Sequence, residues 1–418
     1  MFESLSIRSW RQFESVDIAF HKRLTVLTGA NGSGKTTLLH LLNKHWGWNL
    51  HYASSRNLDE AGVRKYRSGF WGTNGNEAEG QRANVPPRDH SLIGRVDYGE
   101  GHTAELRVPQ SVNEVFAVDI YPPRQVHGVF VPSHRQPYVY QTIEEIPTKL
   151  DAKEQIFQVY LNEVMARYMG TGGNRRFHSP ATQIKRSLIS LATFGYGNQA
   201  VDRDEEAVRI FEGFERILRD TLPPSLGFKR IRVRIPDVML ETKTGEFTFE
   251  AVSGGVASII DMVWQIHMYA QLHDDFVVVI DEPETHLHPE LQQRLLPDLL
   301  KAFPRAQFVI STHNPFMVTS VPDSNVYVLR YNEDGKVESS QLSVANKAGT
   351  ADVILMELLG VPSTLPRWAA AKIEDLLEEF SQAPLTKDSV GQLRQRMSDL
   401  GMEYLFPKVL AQVAEEHK

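Results

Sequence analysis

Cysteine is absent from the 418 residues of the sequence. This absence excludes disulfide bonds, thiolate zinc sites and a cysteine nucleophile. The sequence also lacks any apolar run approaching the roughly 20 residues that a bilayer-spanning helix needs. Its first residues, MFESLSIRSW, have neither the basic start nor the apolar core of a signal peptide. We therefore expect a cytoplasmic protein.

Positive charge is also in short supply, because 45 lysines and arginines face 52 aspartates and glutamates and give a net charge of -7. The whole molecule therefore has no general attraction to nucleic acid or to an anionic membrane, and such a contact would need a local basic patch. The remaining composition, 41% hydrophobic and 23% charged, is typical of a soluble globular protein. The length allows two or three domains, or one large core with insertions.

Alternation of apolar and polar residues predicts an opening hairpin, SLSIRSW and SVDIAF, and then a buried strand, RLTVLTG. Further strands are predicted in SLIGRVDY, HTAELRVP and HGVFVPSH. Three segments with helical periodicity predict a helical insert within about 143–222. Strands resume at KRIRVRI and EFTFEAV, a helix follows from about Val256, and the strands FVVVI, QFVIST and NVYVLRY come next. The tail from Ala351 is predicted to be mostly helical.

The most specific motif is GANGSGKTT, which fits the phosphate-binding pattern of Gly, four residues, Gly-Lys-Ser/Thr. It follows a predicted strand and opens a predicted helix, as this mechanism requires. Glycines let the backbone curl so that successive N–H groups point at phosphate oxygens. We expect Lys35 to neutralise the β and γ phosphates and the Thr36 hydroxyl to ligate Mg²⁺. The expected nucleotide-binding residues of this loop are Gly29, Ala30, Asn31, Gly32, Ser33, Gly34, Lys35, Thr36 and Thr37.

A second stretch, FVVVIDEPETHLHP, places Asp281, Glu282, Glu284, His286 and His288 behind a strongly apolar run. Taken alone, this stretch is compatible with a metal cluster. A phosphate loop needs a second strand that carries carboxylates, so we expect Asp281 to hold the Mg²⁺ shell, usually through water. Glu282 is then expected to polarise the attacking water. The two histidines are expected to cap or hydrogen-bond the turn, and a separate transition-metal site is the alternative.

The segments GANGSGKTT, VSGGVAS, IDEPETHLHP and STHNP, in that order, resemble the motif series of ABC-type ATPases, and most closely the RecF, SMC and OLD group. The opening SLSIRSWRQFESVDIAF is similar to that group's first hairpin, and DEPETHLHP is especially like the OLD-type branch. The resemblance covers residues 1–48, roughly 125–140 and 247–320. It implies an α/β fold, a P-loop ABC-ATPase head with a mixed sheet, flanking helices, an antiparallel β subdomain and a helical insert. The insert is too short for the long coiled coil of chromosome-condensing ATPases.

The resemblance also implies a domain organisation. Residues 1–142 are expected to form an N-terminal ATPase lobe with the β subdomain, and residues 143–228 the helical insert. Residues 229–345 are expected to form a C-terminal ATPase lobe, and residues 346–418 a helical tail.

Matched position by position, the resemblance implies further site residues. Ser253, Gly254 and Gly255 match the family signature, whose serine and glycine N–H groups contact the γ phosphate bound by the opposite subunit. Physically, Ser-Gly-Gly at the start of a helix is an anion site in its own right. His313, in FVISTHNP, matches the switch histidine that contacts the γ phosphate. The expected catalytic residues are therefore Glu282, His313 and Lys35.

Two more assignments concern the metal and the nucleotide. Gln136, in VPSHRQPY, is the expected glutamine that senses Mg²⁺ and the attacking water, with Gln125 and Gln141 as alternatives. Arg11, in SWRQF, is expected either to reach the nucleotide from the opening hairpin or to face solvent.

The resemblance implies a composite act of hydrolysis. One subunit brings the Lys35 loop with Asp281 and Glu282, and a second closes the site with Ser253, so a head-to-tail dimer or higher oligomer with two nucleotides at each interface is expected.

The expected function is that of a Mg²⁺-dependent ATPase, an ATP-gated sensor or scaffold that controls a separate effector, such as a nuclease, in anti-phage defence. No Asp-x-Asp of a Toprim nuclease follows His313, so a nuclease in the same chain is not expected. The alternatives are a RecF-like DNA repair ATPase and a slowly hydrolysing ATP-bound scaffold.

The DNA alternative depends on local basic groups. KRIRVRI predicts a strand with three arginines on one face, and the insert adds two basic pairs. These residues are Arg230, Arg232, Arg234, Arg175, Arg176, Lys185 and Arg186. Such groups could hold DNA phosphates with salt-dependent affinity, or could be an ordinary solvated surface.

Overall fold

The computed structural model describes residues 1–58, 64–71, 90–110, 112–135, 138–145, 149–170, 179–343, 350–358, 360–361, 363–381, 384 and 386–416. The chain divides into two compact units, Met1–Ala351 and Asp352–Lys418.

Among the described residues, the first unit contains every strand that the sequence predicts and seven that it does not. In chain order the strands are β1 Phe2–Trp10, β2 Phe13–Ala19, β3 Leu24–Gly29, β4 Tyr52–Ala53, β5 Ser55–Leu58, β6 Arg64–Arg67, β7 His90–Tyr98, β8 His102–Pro109, β9 Val115–Phe116, β10 Asp119–Tyr121, β11 Gly128–Val131, β12 Phe228–Arg234, β13 Asp237–Thr242, β14 Glu246–Thr248, β15 Phe276–Asp281, β16 Ala306–Ser311, β17 Asn325–Tyr331 and β18 Val337–Gln341. The helices are α1 Lys35–Asn43, α2 Lys153–Tyr168, α3 Pro180–Tyr196, α4 Glu205–Thr221, α5 Gly254–Ala270, α6 Pro289–Ala302 and α7 Pro315–Thr319. The predicted opening hairpin is confirmed, because β1 and β2 pair antiparallel.

One mixed sheet organises this unit. Among the described residues eleven strands join it in the order β10-β8-β7-β1-β2-β18-β17-β3-β16-β15-β11. Strands β3, β16, β15 and β11 are parallel, whereas β10, β8, β7, β1 and β2 pair antiparallel. The predicted antiparallel β subdomain is therefore continuous with the parallel strands. All residues of β3, β15 and β16 are buried, as is expected of parallel strands that are covered on both faces, and the buried residues include the polar Thr25, Thr28 and Gln307.

Two helices carry segments that matter for the site: α1 follows the phosphate loop, and α5 begins at the signature segment. Four leucines of α1, at positions 38, 39, 41 and 42, are at most 1% exposed, and each such burial is worth roughly 1.5–3 kcal/mol. Helix α5 is buried on every side from Val256 to Tyr269; its sequence is largely apolar, but the buried residues include Asp261, Gln265 and His267. The phosphate-loop helix and the signature helix are thus both anchored in the core.

The helical insert contains α2, α3 and α4, and beside it lies a three-stranded sheet of β12, β13 and β14. The sequence did not predict β13, which forms a hairpin with the predicted KRIRVRI strand. The strand predicted in EFTFEAV ends early, at Thr248, because the 3-10 turn Phe249–Ala251 follows and buries Phe249 completely. Helix α5 then begins at Gly254, two residues before the predicted start.

The second unit is helical, as predicted for the tail. Its helices are α8 Arg367–Ser381, α9 Lys387–Asp399 and α10 Phe406–Glu416. A core of its own includes Leu393 and Met397, each at most 1% exposed. Across the described parts of both units, no helix combines the length and apolarity needed to cross a membrane.

Candidate nucleotide-binding and hydrolysis site

The turn between β3 and α1 requires glycine at two positions. Gly29 has a φ of 142° and Gly34 a φ of 95°, where side chains are disfavoured. A Cβ atom on Gly34 would lie 2.4 Å from Phe13 Cζ, and one on Gly29 would lie 2.4 Å from the Leu329 carbonyl oxygen. The turn is therefore packed closely at Gly29 and Gly34, which lets its backbone curl tightly between β3 and α1.

The side chain of Lys35 folds back onto this loop. Its ammonium donates hydrogen bonds to the carbonyl oxygens of Gly29 at 2.9 Å and Ala30 at 3.2 Å, and the residue is 6% exposed. Burial lowers the pKa of Lys35, although the nearby carboxylates of Glu282 and Asp281 act in the opposite direction. The cation thus sits between the loop and the acidic segment.

The hydroxyl of Ser33 is buried and has no hydrogen-bond partner among the described residues. Leaving such a group unsatisfied costs about 1–3 kcal/mol. Together with the exposed backbone curve and the Lys35 cation, this buried hydroxyl fits a polyanion such as a triphosphate.

Asp281 joins the acidic segment to the phosphate loop. Thr36 Oγ1 lies 3.2 Å from Asp281 Oδ1 and 3.1 Å from Asp281 Oδ2, and Ser311 Oγ donates to the same carboxylate. Asp281 is the last residue of β15 and is 3% exposed. A hydroxyl and a carboxylate are oxygen ligands of the kind Mg²⁺ prefers, so these residues fit that metal.

His313 lies between two carboxylates. Its Nδ1 is 3.3 Å from Glu282 Oε1 and 3.9 Å from Glu284 Oε1. Glu284 is 6% exposed and accepts hydrogen bonds from the Thr312 hydroxyl and from the His313 backbone N–H. Burial raises the pKa of Glu284. The structure therefore brings together Glu282 and His313, as predicted, and adds Glu284 as a support of the histidine segment.

Arg135 contacts the acidic segment, and the sequence patterns did not single it out. Its Nη2 donates to the carbonyl oxygens of Glu282 at 2.9 Å and Pro283 at 3.3 Å, and its Nη1 donates to that of Pro132 at 3.2 Å. Burial lowers the pKa of Arg135 to about 10. The guanidinium therefore fixes the backbone of Glu282 to the end of β11, and only its position after a buried strand hinted at such a role.

Gln136, the expected glutamine, lies outside the described residues and stays a prediction. Of its two alternatives, Gln141 accepts a hydrogen bond of 2.6 Å from Thr182 Oγ1 and is thereby tied to α3. Gln125 is exposed in the loop before β11.

The signature segment starts α5. Ser253 Oγ accepts from the Val256 backbone N–H at 3.4 Å and caps the helix, while Ser253 and Gly254 themselves are exposed. A Cβ on Gly255 would lie 2.7 Å from the carbonyl oxygen of His286, so glycine is needed for this close approach. The signature thus packs against the turn that follows Glu282.

The histidines of this turn are engaged locally. His288 is the N-cap of α6, where its Nδ1 accepts from the Glu290 backbone N–H at 3.4 Å, so the predicted capping role is confirmed for His288. His286 adopts a φ of 70° in the turn itself.

Arg11 lies in the turn between β1 and β2 with a φ of 54°. Its guanidinium carbon is 5.9 Å from the ring centre of Trp10 and 5.5 Å from that of Tyr52. Its neighbours Gln12 and Phe13 approach the phosphate loop at Gly34. A contact of Arg11 with nucleotide stays a prediction.

The basic groups suggested for DNA are largely paired. Arg230 Nε lies 2.8 Å from Glu241, and Arg232 and Arg234 lie 3.2 Å and 2.7 Å from Glu246. In the insert, Arg186 is exposed but Lys185 is fully buried, so the expectation that Lys185 adds to a basic surface is wrong. Arg175 and Arg176 lie outside the described residues.

Comparisons with known proteins agree with this geometry. Residues 175–319 match the family described as "AAA domain, putative AbiEii toxin, Type IV TA system", and residues 4–68 match a family described as "AAA domain". The chain is 25% identical over 215 residues to the Septu protein PtuA of Bacillus mycoides (strain KBAB4), a match that covers 51% of this chain and 26% of that protein. It is 26% identical over 148 residues to the Retron Ec83 probable ATPase of Escherichia coli, covering 35% of this chain and 26% of that protein.

The chain thus spans about a quarter of the length of each of these relatives. Among solved structures, the SMC head domain from Thermotoga maritima is 12% identical with a TM-score of 0.43, covering 82% of this chain and 99% of that one. The two AAA-domain matches contain the Asp281 segment and the phosphate loop respectively. The chain is therefore similar to AAA-type ATPases along both segments that form the candidate nucleotide-binding site.

Proposed function

We propose that this protein is a Mg²⁺-dependent ATPase that works as an ATP-gated switch, associates head to tail with a second copy, and controls a separate effector in anti-phage defence. The main support for ATP hydrolysis is the distance of 3.1 Å between Thr36 Oγ1 and Asp281 Oδ2. Glu282 directly follows Asp281 in the chain and contacts His313. Phosphate ligands, metal ligands and a base thereby meet at one edge of one sheet.

Each residue then has a chemical task. The backbone N–H groups of residues 29–34 and the Lys35 ammonium hold the negative charge of the phosphates. Thr36 and Asp281 would supply oxygen ligands for Mg²⁺, and the metal, when bound, would neutralise negative charge that develops on the phosphates. Glu282 accepts the proton of the attacking water.

Arg135 and Glu284 position the proposed catalytic residues Glu282 and His313. Arg135 holds the Glu282 backbone through its carbonyl oxygen, 2.9 Å away. Glu284 holds the backbone of His313 at 3.3 Å, so that the imidazole stays beside Glu282.

The two-chain arrangement is supported by the signature. Ser253 and Gly254 are exposed at the N-terminus of α5, a helix of 17 residues, where backbone N–H groups and the helix dipole favour an anion. We infer that these groups complete the nucleotide site of a second copy. ATP then holds two chains together, and hydrolysis releases them.

The defence role is supported by the relatives. A Septu protein and a retron ATPase are both similar to this chain, and we extend their class of role to it. The RecF-like alternative has less support, because Arg230, Arg232 and Arg234 are paired with glutamates in the described structure.

Size-exclusion chromatography with light scattering, followed by affinity capture, tests the proposal. A tagged Glu282→Gln chain with Mg²⁺ and ATP should run as a dimer or larger species and should capture the product of the neighbouring gene. The same chain carrying Lys35→Ala should stay monomeric and capture nothing. A Glu282→Gln chain that binds ATP yet stays monomeric would overturn the two-chain arrangement. Association without effector capture would overturn the effector role and leave the slowly hydrolysing scaffold and the RecF-like ATPase as the alternatives.

A further inference from the structure

Lys185 is a fully buried charge in the middle of α3. Its ammonium donates hydrogen bonds to Asp237 Oδ1 at 2.8 Å, to Glu250 Oε1 at 2.9 Å and to the Gln141 carbonyl oxygen at 3.2 Å. A lysine ammonium has three protons to donate, so all of its donors are used. Lys185 belongs to the buried side of the helix together with positions 181, 184, 188 and 189.

The three contacts join separate parts of the fold. Lys185 belongs to the helical insert, and Asp237 begins β13. Glu250 lies in the 3-10 turn Phe249–Ala251, three residues ahead of Ser253. The Lys185–Glu250 contact is therefore a direct link between the insert and the segment that leads into the signature.

The same turn is held from its other side by an aromatic contact. Phe249 is fully buried, and its ring stacks on Tyr138 with centres 5.3 Å apart and planes 21° apart. Tyr138 in turn donates a hydrogen bond of 2.8 Å to Asp261 in α5. The turn before the signature is thus fixed to the insert by an ion pair and to α5 by Tyr138.

Compared with apolar side chains of similar size, the buried ion pairs of Lys185 are not expected to increase the stability of the fold. Burial by itself would lower the pKa of Lys185, but the hydrogen bonds to Asp237 and Glu250 raise it above its ordinary value, so the group stays protonated at neutral pH. Glu250 is itself buried, and its Oε2 has no hydrogen-bond partner among the described residues. Replacing buried ion pairs by apolar groups is often neutral or stabilising, so an arrangement of this kind points to a positional role.

We propose that Lys185 is a positioning residue that ties the helical insert to the signature segment, so that the insert and Ser253 move as one body when two chains close on ATP. This inference rests on the two-chain arrangement of the proposed function. Removing the tie should leave the phosphate loop intact, because Lys185 contacts neither the loop nor the acidic segment in any of its hydrogen bonds. It should impair the step that depends on the signature.

The test compares Lys185→Met with Arg186→Met, the exposed residue that follows it in the same helix. Lys185→Met should bind ATP within about twofold of the parent, yet lose at least tenfold in kcat and fail to dimerise in the Glu282→Gln background. Arg186→Met should match the parent in all three measurements. Normal dimerisation and kcat of Lys185→Met would overturn the inference.

Lys185→Met leaves the buried carboxylate of Glu250 and the partly exposed carboxylate of Asp237 uncompensated, and it is expected to lower the melting temperature. The double variant Lys185→Met/Glu250→Met removes most of that penalty, so it should regain the melting temperature while dimerisation stays impaired. Recovery of dimerisation together with stability would show a purely structural charge and overturn the inference. If the Glu282→Gln parent itself fails to dimerise with ATP, the proposed function fails instead, and the two failures are thereby distinguished.

Discussion

Thr36 and Asp281 are separated by 245 positions in the chain, yet Thr36 Oγ1 lies 3.1 Å from Asp281 Oδ2. The sheet explains this approach, because β16 lies between β3 and β15 and all three strands are parallel. The phosphate loop leaves the carboxyl end of β3, and Asp281 ends β15, so both stand at the same edge. The proposed phosphate ligands and the proposed metal ligands therefore lie together within a single chain.

Lys35→Ala should weaken ATP binding at least tenfold, because the variant loses the only side-chain cation that this loop carries in its sequence. Each factor of ten corresponds to about 1.4 kcal/mol of binding free energy. Titration with a fluorescent ATP analogue measures the affinity. Lys301→Ala serves as the control, since that side chain is 75% exposed on α6. Unchanged affinity in Lys35→Ala would place the triphosphate elsewhere.

Glu282→Gln should keep ATP binding within a few-fold but lower kcat by roughly 100-fold or more, the usual contribution of a general base. The amide has nearly the shape of the carboxylate but cannot take a proton from water. Phosphate release under saturating Mg²⁺ and ATP gives kcat. Glu290→Gln, exposed in the first turn of α6, should hydrolyse ATP like the parent. A Glu282→Gln chain as fast as the parent would show that another group is the base.

Gly34→Ala should abolish nucleotide binding and lower the free energy of unfolding by roughly 1–3 kcal/mol. The new methyl group would meet the buried Phe13 ring at 2.4 Å, in a backbone region that L-residues avoid. Gly101→Ala is a matched control, because Gly101 also has a positive φ, of 71°, but a Cβ atom added there would have no described atom within 4 Å. That variant should lose stability only, and equal nucleotide binding by both variants would contradict the described loop.

Asp261→Asn should change the pH dependence of stability. Burial raises the pKa of Asp261 to about 7, against the opposing effects of the Tyr138 hydrogen bond and of Arg135 and Arg167. The folded state thus holds this proton more tightly than the unfolded state, so its contribution to stability is lost as the pH rises from about 4 to about 7.

Asparagine keeps the shape of the side chain and carries no charge. Relative to the parent, the free energy of unfolding of Asp261→Asn should therefore rise by about 2–3 kcal/mol between pH 5 and pH 8. Urea denaturation at the two pH values measures this difference. Parallel pH profiles for the two chains would show that Asp261 is ionised in the folded state throughout.

Local sequence patterns predicted the elements that carry the site. The glycine spacing of the loop predicts a turn between a strand and a helix, and the apolar run before Asp281 predicts a buried strand. The structure has both elements at the expected positions. The sequence patterns do not predict strand β13. They also predict a longer strand in EFTFEAV than the structure has, because burial of Phe249 in a 3-10 turn overrides its preference for a strand.

Contacts between distant segments could not be predicted in this way. Arg135 acts on the Glu282 carbonyl oxygen from 147 positions away, and nothing in its local sequence identifies that acceptor. Lys185 has an ordinary basic sequence context, and its burial follows from two carboxylates on other elements. Charged residues are usually exposed unless paired, and pairing is a property of the fold.

A crystal structure of the chain with Mg²⁺ and a non-hydrolysable ATP analogue would show where the triphosphate binds. We expect the analogue's phosphates along residues 29–37 and the metal beside Thr36 and Asp281. An analogue bound elsewhere, or a loop without phosphate at saturating analogue, would contradict this expectation.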